Sequence, residues 1–305
     1  MIEFYYKAEK DKKLKKEAKF SPSSWIFVEN PSEDEIQKLT SEFKLEEGLI
    51  MDGIDPQEVP RMEVEGKIIY VYARVPFSDG ESITTVPILM TLGKDFFATV
   101  SNVPIPFLRR MVSEDGPRST EKIEMLIKVF SEVIGSYNGV LTDIRRGSRR
   151  ALASIENVSN KEIVQLISFE NVINDFLSAL IPMSAVMSNL LSGKFFDLRE
   201  DDHELVEDLF LSIGQLIELS KSTLKTAVNV REAYSTIMTN NLNRVIKILT
   251  ALTIVLTIPM LISSFFGMNV PVPLAKSPYG FQIILITSVG ISGLLVYILN
   301  KNKWL

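Results

Sequence analysis

The spacing of apolar and polar positions changes character twice along this chain. In the first hundred residues apolar side chains come in short runs at Ser24–Val28, Lys67–Val75, Ile83–Leu92 and Asp95–Val100, which predict strands. Between them Pro31–Leu45 has helical spacing, opened by Ser32 and, three residues on, Glu35, the two halves of a capping box. The alternation predicts an α/β domain that ends near Asn102–Pro106.

Beyond Pro117 no proline occurs until Pro182, and helical periodicity takes over. Ser119 is predicted to cap a helix running to about Val158, and Lys161–Leu191 forms a second. From Arg199 to Phe266 no strong breaker precedes Pro259. That predicts one stalk helix of ~100 Å at 1.5 Å per residue.

The second change is the loss of charge. Ile248–Phe266 and Phe281–Leu299 are each 19 residues without a formal charge. That is close to the ~20 a helix needs to cross the hydrocarbon of a bilayer. A pair of buried core helices is the competing reading, disfavoured because only a Pro/Gly-rich connection separates the two. Arg244 and Lys247 precede the first run, Lys301 and Lys303 follow the second, and the connection Gly267–Gly280 carries only Lys276. The positive-inside rule then makes both flanks cytoplasmic and the connection external. The expected divisions are 1–113 (α/β domain), 114–244 (helical region and start of the stalk), 245–266 (first span), 267–280 (external loop), 281–299 (second span) and 300–305 (basic tail).

Composition narrows the chemistry. The 305 residues include no cysteine and one histidine, His203, so thiolate sites and disulfides are excluded and any metal would meet oxygen ligands, which suit hard cations such as magnesium. The net charge of −5 is mixed along the chain and gives no nucleic-acid footprint. No Walker loop or haem signature occurs, and no nucleophile, base and orienting group stand together, so an enzyme is not expected. Charges interrupt every apolar stretch of the N-terminus, which is therefore expected to be no signal peptide and to stay in the cytoplasm.

Two helices enclose no lumen, so transport requires copies. In the first span the hydroxyls of Thr250, Thr253, Thr257 and Ser264 recur at spacings of 3, 4 and 7, a heptad seam. Asn243, Ile246, Met260 and Gly267 extend it, and Leu249 lies beside Thr250. Thr236 and Thr239 continue the register upstream. Polar side chains in lipid usually turn toward a bundle interior or water, which predicts a pore face with Ile246 as an apolar constriction. The alternative is that each hydroxyl bonds the carbonyl four residues back on its own helix. Pro259 removes one helical hydrogen bond, so a bend is expected there if a neighbour satisfies the freed carbonyl.

The first span ends Phe266-Gly267-Met268-Asn269 and the chain ends Lys-Trp-Leu. This arrangement resembles the CorA family of magnesium transporters, closely over Asn243–Leu305 and architecturally upstream. The resemblance implies a homopentameric funnel in the cell membrane, an α/β cytoplasmic domain on a long helical stalk with a two-helix C-terminal hairpin. It further implies magnesium as substrate and Gly267, Met268 and Asn269 as the outer selectivity ring. Asn carbonyls would hydrogen-bond a hydrated ion that releases its waters reluctantly, while Gly267 would allow close packing or a turn at the helix end. The loop VPVPLAKSPYGF departs from the acidic loop of many relatives, which keeps cobalt, nickel and zinc open. A membrane-anchored sensor is the reading from another class, and the external loop of about 14 residues is short for it.

The stalk opens with Glu200, Asp201, Asp202, Glu204, Glu207 and Asp208, a run that reads as a solvated helical face. The resemblance sets Asp208 apart as a regulatory magnesium ligand between subunits, with Asp79 and Glu81 as candidate partners. His203 is expected on the surface.

Overall fold

A computed structural model describes residues 1–305 except 8–12, 81, 114–116, 154–159, 196–197, 275–276, 303 and 305. The chain forms two compact units, Met1–Val230 and Arg231–Leu305.

The first unit is built on a seven-stranded sheet of β1 (Ile2–Tyr6), β2 (Lys15–Glu17), β3 (Ser24–Glu29), β4 (Met62–Glu65), β5 (Ile68–Ser78), β6 (Ile83–Leu92) and β7 (Phe96–Ser101), in spatial order β2-β1-β3-β7-β6-β5-β4. Only β3 and β7 pair in parallel. These central strands are buried along their whole length because both faces are covered, hence their nearly unbroken apolar runs. Successive side chains point to opposite faces. On β3, Ile26 and Val28 meet one apolar cluster with α1 (Glu33–Phe43) and α2 (Glu47–Ile54), while Trp25 and Phe27 meet another. That second cluster takes in α3 (Pro106–Ser113), α4 (Lys122–Ala153), α5 (Asn160–Leu191) and the beginning of α6 (Glu200–Phe266).

The strand runs expected around Ser24, Lys67, Ile83 and Asp95 are all present, and the Ser32–Glu35 capping box is formed in both directions. Three expectations change. No division of cores exists at residue 113, since one apolar cluster draws on the sheet and on α3 to α6 alike; the units part within α6, after Val230. Ser119 does not cap α4: it is wholly buried, and its Oγ accepts a hydrogen bond from the backbone N–H of Lys7 at 2.9 Å. Strands β1, β2 and β4, at the sheet's margins, and the short helices α2 and α3 lie outside the predicted runs.

Within the first unit α6 buries Val206, Ile213, Leu216, Ser220, Thr223, Ala227 and Val230, a heptad-spaced stripe. Its side chains shrink from Ile and Leu to Ser, Thr and Ala along the helix.

The second unit comprises the rest of α6, the connection after it, and α7 (Gly280–Lys301). Among the described residues three helices are long and apolar enough to cross a membrane: α5, α6 and α7. Gly280 begins α7 where a Cβ would stand 2.8 Å from the carbonyl oxygen of Leu274, so only glycine fits; Leu274 itself has φ +69°. Tyr279 and Phe281 at one end of α7, and Tyr297 toward the other, are exposed aromatics of the kind that mark membrane interfaces.

Candidate functional site

The second unit has a defined seam. Ala251 is fully buried, Val255, Ile258 and Ile262 are half-buried on the same face of α6, and on α7 Ile284, Ser288, Ser292, Leu295 and Leu299 are buried or half-buried at spacings of 3 and 4. The Ser292 hydroxyl donates to the carbonyl oxygen of Val255 at 3.4 Å.

At roughly 100° per residue, the positions 246, 253, 257, 260 and 264 fall on the side of α6 turned away from that seam, with 243 and 250 at the edge of that side. Asn243, Ile246, Leu249, Thr250, Thr253, Met260 and Ser264 are exposed in the single chain, and Thr257 is half-buried. From Met238 to Thr250 every residue of α6 is exposed, including Leu242, Val245 and Leu249 at about 60% each.

The hydroxyls behave as the alternative reading of the sequence described. Thr253 Oγ1 donates to Leu249 O at 2.8 Å and Thr257 Oγ1 to Thr253 O at 2.7 Å; Thr236 and Thr239 do the same upstream. A hydroxyl that spends its proton on its own helix still turns oxygen lone pairs outward. At Thr253 and Thr257 the stripe therefore presents hydroxyl oxygens as acceptors.

At the end of α6 the Gly267 N–H closes onto Ser263 O at 2.9 Å and Met268 N–H onto Phe265 O at 3.4 Å, after which Asn269 is exposed. Gly267 is absent from the positive-φ glycines, and a Cβ there would meet Ser263 O at 3.4 Å, an ordinary contact within this chain. The chain does turn at Gly267, just past the last helical residue, without a left-handed backbone. Lys276 of the following loop lies outside the described residues.

The acidic head of α6 is less uniform than its sequence suggests. Asp201, Glu204, Glu207, Asp208 and His203 are exposed. Asp202 is not part of a solvated face: it is buried, with Arg199 Nε donating to its Oδ2 at 2.8 Å. The Arg199 guanidinium also reaches Glu124 at 3.4 Å and Glu121 at 3.5 Å, at the start of α4. The Asp202 carboxylate holds the Arg199 pKa above its ordinary value. This cluster ties the first turn of α6 to α4, and sequence gave no direct sign of it because its members lie 75 positions apart.

Asp79 sits at the tip of the β5–β6 hairpin, where its Oδ1 accepts the Ser82 N–H at 2.8 Å; Glu81 lies outside the described residues. Among the described residues no group of three or more His, Asp or Glu side chains converges as a metal site. Asp208 and Asp79 both stand on exposed positions of the first unit.

Comparison with known proteins follows the same outline. The chain is 24% identical over 289 residues to the cobalt/magnesium transport protein CorA of Methanocaldococcus jannaschii, covering 92% of this chain and 91% of that protein. The complete structure of the CorA magnesium transporter from that organism superposes with a TM-score of 0.86 at 21% identity, over 100% of this chain and 99% of the other. The full-length CmaX protein gives a TM-score of 0.75 at 15% identity, over 100% and 98%. Identities this low speak to the fold, an α/β domain, a long helix and a C-terminal helix. The family described as CorA-like Mg2+ transporter protein matches residues 22–301, and the chain therefore belongs to that family of membrane ion transporters and is not an enzyme.

Proposed function

We propose that copies of this chain, five by resemblance to the family, surround an axis with the hydroxyl face of α6 turned inward, and conduct hydrated magnesium into the cell. The observation that carries the reading is the position of that face. It is turned away from the α7 seam, on a helix left bare by its own chain, and it runs to Gly267-Met268-Asn269. A helix exposing large apolar side chains around its circumference from Met238 to Thr250 needs partners to cover them. Both termini lie in the cytoplasm. A negative interior supplies about 2.3 kcal/mol per charge per 100 mV, enough to drive uptake without a nucleotide.

Asn269 offers its amide oxygen at the outer end, where it accepts hydrogen bonds from the waters of the ion without replacing them. Ile246, on the same face nearer the cytoplasm, forms the apolar constriction. Asp208 and Asp79, exposed on separate elements of the first unit, belong to a regulatory site completed between copies. Carboxylates of neighbouring chains repel unless a divalent cation bridges them, so bound magnesium holds the closed state and its loss releases it.

In liposomes carrying the purified protein, Asn269→Ala is expected to abolish magnesium flux while the oligomer assembles; unchanged flux would sink the outer ring. Parallel arms with cobalt, nickel and zinc rank the substrates, with cobalt favoured next because the Methanocaldococcus relative is named for both ions. Asp208→Ala should move inhibition by internal magnesium to higher concentration. An unmoved curve removes Asp208 from the regulatory site.

A further inference from the structure

Pro259 has no amide hydrogen, so the helical bond onto the carbonyl of Val255, four residues back, cannot form. In water such a carbonyl is hydrated. In hydrocarbon it must be answered by a neighbour, and interior prolines persist in membrane helices where one is available. Here the neighbour is Ser292 of α7, whose hydroxyl donates to that same oxygen from 37 positions away. Ser292 is half-buried on the α7 face that meets α6, one helical turn from the buried Ser288.

We infer that Ser292 is a positioning residue for the ion path: by answering the carbonyl that Pro259 frees, it lets α7 set the direction in which α6 continues to Gly267-Met268-Asn269. The inference rests on the reading of α6 as the lining helix. At 3.4 Å the bond is long beside the ~2.7–2.8 Å usual for O–H···O, so a small approach of α7 tightens it and a small retreat breaks it. The pore-facing residues on either side, Thr257 and Met260, stand two positions before the proline and one after it. A shift of α7, which itself lines nothing, is thereby transmitted to the outer half of the path.

The double substitution tests this. Ser292→Ala leaves Val255 O without a donor, Ser292→Thr keeps one, and Pro259→Ala returns the backbone N–H and makes Ser292 dispensable. Because the chain has no cysteine, Phe265→Cys and Phe281→Cys accept spin labels selectively, and labelled chains diluted with unlabelled ones report the α6–α7 distance in liposomes. Ser292→Ala is expected to broaden that distance distribution and to lower magnesium flux by roughly 3- to 10-fold, the scale of one interhelical hydrogen bond in a membrane. Ser292→Thr should restore both, and in the Pro259→Ala background Ser292→Ala should change neither. An unchanged distribution in Ser292→Ala, or an effect that persists undiminished with Pro259→Ala, overturns the assignment. A distance response without a flux response would sink the lining role of α6 instead, leaving the Ser292 bond in place.

Discussion

Helix α5 and the outer half of α6 are both long and apolar enough to cross a membrane, with mean hydropathies of 1.2 and 2.3 over their most apolar stretches, and each has a proline inside it. They are used differently. In α5 a third of the most apolar stretch is buried in the protein's own core, where Phe176 stacks edge-on against Tyr137 with ring centroids 4.8 Å apart. In α6 and α7 only 6% of that stretch is buried, and the remaining apolar surface awaits lipid or other copies. The prolines follow suit. Pro182 frees the carbonyl of Ser178, an exposed residue that water can serve, whereas Pro259 depends on Ser292. Passing the length and hydropathy a span requires therefore does not by itself say how a helix is used; the surface that its side chains meet does.

The sharpest way to break this contrast is to empty the core on one side. Phe176→Ala is expected to cost the first unit about 3–5 kcal/mol, as full burial of an aromatic ring implies, read as a lowered denaturation midpoint in detergent. Phe265→Ala, at a ring 63% exposed, should leave that midpoint in place. An equal loss from both would mean that α6 is packed within the chain after all.

A buried charge probes the other side. Leu256→Lys places an ammonium on a side chain 61% exposed within the apolar run of α6, at about 3 kcal/mol near a bilayer centre. Ile181→Lys, 53% exposed on α5, meets water and should stay within about 0.5 kcal/mol. The share of expressed protein recovered in membranes should fall for the first and not for the second. Equal recovery would contradict the membrane placement of α6.

The smallest effect is expected at Pro182. Pro182→Ala regains one helical hydrogen bond but loosens the unfolded chain, and the two nearly cancel to below about 1 kcal/mol in thermal unfolding. A large gain would show that the Ser178 carbonyl is not served by water.

Much of the molecule could be read before the structure. The capping box at Ser32 and Glu35, the four principal strands, the long reach of α6 and the register of its hydroxyls are each written within one element, where a period or a short-range hydrogen bond is the signal. Ser119 misled because a buried hydroxyl can serve a distant backbone as readily as a helix end. Asp202 misled because its neighbours in sequence are exposed while its partner Arg199 also gathers Glu121, just before α4, and Glu124 within it. The positions where α6 and α7 meet, and Ser292 above all, were invisible because apolar and small residues at helical spacing carry no mark of which neighbour they meet.

By itself the chain's sequence determined the four principal strands and the long helices, which face of α6 carries hydroxyls, and that Gly-Met-Asn ends its first span, since all of these follow from local periodicity and from the cost of charge in hydrocarbon. Only the tertiary structure decided that one face of α5 packs into the core of the first unit, that the two units part inside α6, and that Ser292 answers Val255. Those outcomes depend on contacts between residues far apart in the chain, and burial and hydrogen-bond satisfaction are properties of the pair, which no single position records.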